Sequence, residues 1–332
     1  MTEQSKIPLP GKGKSLFERA ENLFGLGGFT APPVPQGLAE PAAKRASRKG
    51  LSAAAEPKSA TVVAPPPVEA KPQVFEAPAA EIEPEPIRFA GLHHPIDRAR
   101  LAEQGLIQPD GKVTTLLEEF RIVKRQLLLA ARAARQGGAP AQRVLVCSPL
   151  PGEGKTFCAA NLALAIAAEK DSEVLLVDAD FAKPSILSTL GLPGGRGLMD
   201  ALADPTIHIE DCVITTDVPG LFVLPAGNHS NSDSEYLASS RTPELLDRLT
   251  QGAPNRIVIF DSPPALAATP VAELAKHVGQ ALVVVRADVT GQSSLEDALS
   301  LLSSCPDIKL LLNATHFSPS GRRFGTYYGY GE

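Results

Sequence analysis

The sequence predicts an α/β domain in which a mostly parallel sheet is covered by helices on both faces, and three observations carry that prediction. Five short runs, at 173–177, 221–224, 256–260, 281–285 and 309–312, are near-continuously apolar, as strands buried on both faces are. Helical patterns stand between or beside them at 242–250, 270–277 and 293–303, and strand–helix alternation implies crossovers and a parallel sheet. A sixth apolar run, at 144–146, leads through a glycine-containing loop straight into a helical pattern (Ala159, Leu162, Ala163, Ile166).

That loop reads Ser148-Pro149-Leu150-Pro151-Gly152-Glu153-Gly154-Lys155-Thr156. Strand, glycine turn, Gly-Lys-Thr, helix is the context of a phosphate-binding loop, so the domain is expected to be a phosphate-loop NTPase. Glycines let backbone N–H groups converge on an anion with no Cβ in the way. The helix that follows adds its free N–H groups and about half a positive charge. Lys155 supplies a point charge for the β- and γ-phosphates of ATP, and the Thr156 hydroxyl is placed to ligate Mg²⁺. The loop Pro151, Gly152, Glu153, Gly154, Lys155 and Thr156, with Phe157 behind it, is the expected nucleotide cradle; the motif's usual first glycine is Pro149.

A formal charge of -5 over 332 residues argues against a nucleic-acid partner. Four cysteines without paired spacing suggest neither a disulfide framework nor a zinc site, and Cys147 and Cys158 fall in elements expected to be buried. No apolar run reaches the ~18 residues of a membrane span and no signal peptide is visible, so the expected location is the cytoplasm.

Residues 1–95 hold 15 of the 31 prolines and too little apolar area to offset ordering entropy, so they are read as a disordered arm. Within it, 15–26 has the pattern of a short helix, either a docking segment or a nascent helix. The globular domain is expected over 96–317. It opens with a helix at 114–135, capped by Thr114 or Thr115, with Leu117, Phe120 and Leu127 on its apolar side and Glu118, Arg121, Lys124 and Arg125 on its polar face.

Two strands end in carboxylates: Leu175-Leu176-Val177 runs into Asp178-Ala179-Asp180, and Val258-Ile259-Phe260 into Asp261-Ser262-Pro263-Pro264. Strand ends are where α/β sheets bind ligands, and a metal–nucleotide site needs carboxylates to hold Mg²⁺ directly or through water. Asp178, Asp180 and Asp261 are therefore the candidate metal and catalytic residues, with Thr156. The last predicted strand ends in Asn313, whose amide can read a nucleotide base or simply close a turn. Three of the four tyrosines, Tyr327, Tyr328 and Tyr330, cluster in the final six residues, in a Gly-, Ser- and Arg-rich tail (318–332) with no core of its own. Phosphorylating all three would add roughly −5 charge.

Taken together, these segments resemble the bacterial tyrosine kinases of polysaccharide export, phosphate-loop kinases of the deviant Walker type. The likeness rests on Pro151-Gly152-Glu153-Gly154-Lys155-Thr156, Leu175 to Asp180, Asp261-Ser262-Pro263-Pro264, Leu224-Pro225-Ala226-Gly227, Ser234 to Ser239 and the Tyr/Gly tail. The segment 15–26 and Asp180-Phe181-Ala182-Lys183-Pro184 look most like the subgroup encoded with exosortase-linked exopolysaccharide systems. The resemblance implies ATP- and Mg²⁺-dependent autophosphorylation of the tail in trans, between subunits of a ring. It implies that Lys155 and Thr156 hold phosphate and metal, that Asp261 supports the metal, and that Asp178 and Asp180 bind metal and activate the tyrosine hydroxyl. The family's Glu-x-x-Arg-x-x-Arg oligomer helix maps to Glu118, Arg121 and Lys124, and its usual Arg after the second Asp is Ala182. Implied partners are an inner-membrane polysaccharide chain-length determinant (co-polymerase) that holds the kinase at the membrane, and a protein-tyrosine phosphatase. Two other readings compete: a non-catalytic nucleotide-dependent scaffold of a polysaccharide assembly machine, and a positioning-type ATPase, whose extra signature lysine would fall at Leu150.

Overall fold

The computed structural model describes residues 85–89, 91, 93–134, 138–230 and 232–315. The expected helix at 15–26, most of the Pro-rich arm, and the tail with Tyr327, Tyr328 and Tyr330 lie outside the described residues. The chain divides into Met1–Phe75 and Glu76–Glu332, and every described residue belongs to the second unit.

In chain order the elements are β1 (His93–His94), α1 (Arg98–Glu103), α2 (Thr115–Ala133), β2 (Arg143–Cys147), α3 (Lys155–Ala167), β3 (Glu173–Asp178), α4 (Ile186–Leu190) and α5 (Leu198–Ala203). There follow β4 (Ile214–Thr216), β5 (Leu221–Leu224), α6 (Asp233–Leu237), α7 (Arg241–Arg248), β6 (Arg256–Asp261), α8 (Pro270–Ala275), β7 (Gln280–Arg286), α9 (Gln292–Leu301) and β8 (Ile308–Asn313). The eight strands form one sheet in the order β1-β4-β5-β3-β6-β2-β7-β8. Every pairing is parallel except β4 with β5.

The near-continuous apolar runs work as expected in the middle of this sheet. Alternate residues point to opposite faces, so Leu145, Leu175, Val258 and Phe260 enter one core layer while Val144, Leu176, Ile257 and Ile259 enter the other. The second layer is closed by α3, which is buried at every position from Cys158 to Ile166 and apolar there except for Asn161, whose oxygen accepts the Ile107 N–H at 2.8 Å. Across α3 lies α2: the Thr114 hydroxyl accepts the Leu117 N–H at 3.2 Å to start it, and Phe120, Leu127 and Ala131 are buried along one side. All four cysteines are free and buried.

Three expectations change. The strand β8 lies at the sheet edge, so Leu310 and Leu312 are 56% and 59% exposed instead of buried on both faces. On α2, Lys124 is not part of a solvated polar face: it is 9% exposed and its ammonium pairs with Glu169, just past the end of α3. Glu118 and Arg121 do remain outside, paired with each other. Finally, the ordered fold starts before residue 96. Arg256 donates to the Ile87 carbonyl at 2.9 Å and lies 4.2 Å over the Phe89 ring, which meets Phe222 edge-on, and His93–His94 pairs with β4. The proline content of the arm hid this anchor, because a single Phe and two His make no apolar run.

Candidate active site

The site lies at the carboxyl ends of the central strands. Parallel register sets Asp261 opposite both Val146, at the end of β2, and Asp178, at the end of β3. Both acidic strand ends therefore meet the loop that leaves β2. That loop is sewn to the segment after β6, because the Ser148 carbonyl accepts the Ala265 N–H at 2.8 Å and the Val146 carbonyl accepts the Ser262 N–H at 3.1 Å.

Within the loop, Gly152 and Gly154 have φ of 78° and 93°, a region that side chains rarely adopt. Gly154 also caps α3, and a Cβ there would lie 2.2 Å from Asn313 Nδ2. Asn313 comes this close because its amide donates to the Glu153 carbonyl at 2.9 Å. Its oxygen accepts the Ala314 N–H at 2.8 Å, which leaves one amide hydrogen and one lone pair for a ligand. The Glu153 carboxylate is buried and faces away from the cradle, taking the Leu150 N–H at 2.7 Å and the Thr290 hydroxyl. With that charge turned aside, the glycine backbone and the start of α3 are left to face an anion.

Four charged groups meet in front of the loop. Lys155 Nζ donates to Asp180 Oδ2 at 2.8 Å, and both side chains are largely buried. Asp178 accepts the N–H groups of Ser185 and Ile186 at 2.8 and 2.9 Å and that of Asp180 at 3.3 Å. Burial outweighs those hydrogen bonds and pushes its carboxyl up to about 6. Asp261 has no accessible surface, and neither carboxylate oxygen has a hydrogen-bond partner. Burial pushes it up to about 7, against the pull of the nearby Lys155 ammonium and Thr156 hydroxyl. The other oxygen of Asp180, Oδ1, accepts the Lys183 N–H at 3.2 Å.

This donor set fits a magnesium–nucleotide ligand. An unpartnered buried carboxylate calls for a cation, Lys155 and the loop call for an anion, and a nucleotide with Mg²⁺ supplies both. Among the described residues no group of three His, Cys, Asp or Glu is arranged to hold a metal ion.

Of the residues singled out in the sequence, Gly152, Glu153, Gly154, Lys155, Thr156, Asp178, Asp180, Asp261 and Asn313 converge here. Pro151 is exposed at the loop tip. Phe157 turns from the site toward α2, where its ring meets Phe120 edge-on at 6.5 Å. Glu118, Arg121 and Lys124 lie elsewhere, Lys124 at the far end of α3 from Lys155. Sequence reasoning missed Thr290, in the turn after β7, and the Ser185 and Ile186 N–H groups that hold Asp178. Neither has a motif spacing; only the fold brings them in.

No protein-family model matches the chain. Over 149 residues it is 36% identical to the tyrosine-protein kinase Wzc of Salmonella typhi, covering 44% of this chain and 20% of that protein. Over 188 residues it is 30% identical to the tyrosine-protein kinase YwqD of Bacillus subtilis, covering 57% of this chain and 76% of YwqD. Among solved structures, the BceF tyrosine kinase domain matches with a TM-score of 0.50 and 27% identity, over 58% of this chain and 76% of that one. The chain spans about a quarter of the length of the longer curated relatives it matches. The likeness to YwqD runs through most of that protein, and the loop and acidic strand ends on which the resemblance rested meet in one site. The chain belongs to the bacterial tyrosine-protein kinases.

Proposed function

We propose that this chain is an ATP-dependent protein-tyrosine autokinase that phosphorylates Tyr327, Tyr328 and Tyr330 of its own tail. Transfer runs in trans between subunits of a ring, and it regulates the length or export of an exopolysaccharide. The observation that carries the reading is the gathering of Lys155, Asp178, Asp180 and Asp261 where β8 ends against the phosphate loop. The tail leaves from that point, and Tyr327 is about 14 residues past Asn313, a reach of up to ~45 Å when extended.

The Thr156 hydroxyl, with Asp261 and the neighbouring carboxylates, would hold Mg²⁺, which would supply charge neutralisation on the β- and γ-phosphates. Lys155 leaves Asp180 for the phosphate oxygens, since both are anions and the phosphates carry the greater charge. The tyrosine oxygen attacks the γ-phosphorus, the bond to the β,γ-bridging oxygen breaks, and ADP departs. The phenolic proton passes to a carboxylate. Asp178 is held by three backbone N–H groups, so Asp180, freed as Lys155 moves, is the better-placed acceptor. Asn313 keeps a free donor and acceptor that suit an adenine edge.

The ring contact is assigned to the outer side of α2, where Glu118 and Arg121 lie beside the exposed Ile122 and Leu129 and Lys124 anchors the helix from within. The partners are an inner-membrane chain-length determinant, through which a cytoplasmic kinase sits at the membrane, and a protein-tyrosine phosphatase that resets the tail. Among the described residues no helix is long and apolar enough to cross a membrane. Within the family, we place the chain in the exosortase-linked subgroup on Asp180-Phe181-Ala182-Lys183-Pro184.

Incubating the chain with Mg-ATP and the cytoplasmic segment of its chain-length partner, then mapping phosphate by tandem mass spectrometry, tests this reading. Phosphotyrosine at 327, 328 and 330 that disappears in Lys155→Ala is the expected result. A tail that stays unmodified while ATP binds would overturn the kinase in favour of a nucleotide-gated scaffold.

A further inference from the structure

A buried carboxylate inside a loop built to bind anions is an odd placement, and its partners explain it. Glu153 is 2% exposed. One of its oxygens takes the Leu150 N–H at 2.7 Å, which bends the loop back across its own tip. The other takes the Thr290 hydroxyl. Thr290 is itself oriented, because the same oxygen accepts the Arg286 N–H at 2.9 Å, so its hydrogen is directed to Glu153. The chain of contacts runs from the end of β7 through Thr290 and Glu153 to Leu150, and Asn313 at the end of β8 clamps the Glu153 carbonyl from the other side.

We propose that Thr290 is a positioning residue for the nucleotide's phosphates, acting through Glu153. Its hydroxyl holds the Glu153 carboxylate out of the cradle and fixes the loop in its phosphate-ready shape before the ligand arrives. A loop that is already shaped loses less freedom on binding, so affinity for the phosphates depends on a side chain that does not touch them. Without the Thr290 hydroxyl, Glu153 keeps only the Leu150 donor. A buried charge short of a hydrogen bond turns toward water, and the water-facing side of this loop is where phosphate binds. The carboxylate then opposes the ligand by charge as well as by shape. Conservative replacements separate the parts: serine keeps the hydroxyl, valine keeps the shape and loses it.

This inference rests on the nucleotide site proposed above, and the experiment keeps the two apart. Mg-ADP is titrated calorimetrically into the full chain and into Thr290→Val, Thr290→Ser, Glu153→Gln and the Thr290→Val/Glu153→Gln double variant, with Lys155→Ala as control. Thermal melts without nucleotide are run beside them. Thr290→Val should weaken Mg-ADP about tenfold, the scale of one lost hydrogen bond to a charged group. Thr290→Ser should restore binding to within about twofold, and the double variant should lose no more than the weaker single, because both act on one contact. Melting temperatures of Thr290→Val and Thr290→Ser that agree while their affinities differ would separate positioning from general loosening. If the full chain binds Mg-ADP and Thr290→Val binds it equally well, or if serine fails to rescue, the inference is wrong. Should Thr290→Val not fold, Thr290→Ala removes the same hydroxyl, and a Thr290→Ala that binds Mg-ADP as the parent does would overturn it. If the full chain itself binds no Mg-ADP, the nucleotide site falls, and this inference with it.

Discussion

Replacing Asp261 with asparagine should make the nucleotide-free protein more stable while disabling its site. Asp261 is fully buried, both its oxygens are unpartnered, and its carboxyl is pushed up from an ordinary value near 3.8 to about 7. An acid whose pKa is higher folded than unfolded holds its proton more tightly in the fold. Its ionisation therefore costs nothing below about pH 4, costs more with each step up to pH 7, and stays constant above that. At about 1.4 kcal/mol per pH unit, the full penalty is ~4 kcal/mol. Asparagine has the same shape without the charge, although its buried amide also lacks partners and gives back ~1–2 kcal/mol. The net gain at pH 8 is about 2–3 kcal/mol, which for a domain of this size raises the melting temperature by roughly 4–12 °C. The assay is a pair of melting series from pH 5 to pH 8 in EDTA without nucleotide. The quantity to read is the gap between the two proteins, since Asp178 titrates in both. The gap should be near zero or slightly negative at pH 5 and open as pH rises through 7, while Mg-ADP should stabilise the parent and not the variant. A gap that stays constant with pH would refute the reasoning, and so would a variant that melts below the parent at pH 8.

Three further outcomes are expected. Gly154→Ala combines a φ of 93° with a Cβ that would lie 2.2 Å from Asn313 Nδ2, so it should lose ~1–3 kcal/mol in urea denaturation and fail to bind Mg-ADP by calorimetry. Leu246→Ala, in a fully buried position on α7, should cost about 3 kcal/mol in the same denaturation series and leave the Mg-ADP affinity within about twofold. At sub-saturating Mg-ATP, where the nucleotide-free protein sets the rate, tail phosphorylation should speed up with pH from about 5.5 to 7.5 and then level off, because Asp178 at about 6 and Asp261 at about 7 must lose their protons to receive the metal; a flat profile in a quenched-flow series would contradict that assignment.

The middle of the fold was legible because one physical signal decides it. Strands β2, β3 and β6 are buried on both faces, so their runs after the first residue are apolar, and the ends of β3 and β6 are marked by the next charge, Asp178 and Asp261. The same signal misleads at the edge: β8 reads as apolar as β6, and nothing in Lys309 to Leu312 says that Leu310 and Leu312 lack a covering layer. Helix α2 was legible from its cap and period, but the inward Lys124 was not, because its partner Glu169 is 45 positions away. Helices α4, α5 and α6 have five or six residues each, too short for a period to show. The anchoring of Ile87 and Phe89 depends on Arg256 and Phe222, both far along the chain. In the site, the identity of the carboxylates could be read, and their unequal environments could not, since those come from donors such as Ser185 and Ile186 that only the crossover after β3 delivers.

Those unequal environments bear on how the site is used. Setting Asp178 in register with Asp261, with Asp180 close by, concentrates negative charge where water is excluded, which opposes folding unless each charge is met. Two are met from within: Asp178 by three backbone N–H groups, and Asp180 by Lys155. Asp261 alone is left with no hydrogen bond at either oxygen. The instability of the site therefore falls most on Asp261 and less on Asp178, whose carboxyl is pushed up only to about 6, and a cation is what relieves it. A ligand that carries its own metal therefore gains twice, by its contacts and by removing a penalty the empty fold carries, whereas metal-free ADP gains only the first. Because Lys155 is engaged by Asp180 until phosphate arrives, the anion and the cation are also linked: moving Lys155 to phosphate uncovers a second carboxylate for the metal side. Mg²⁺ and nucleotide should then bind with positive cooperativity, each strengthening the other by the same factor.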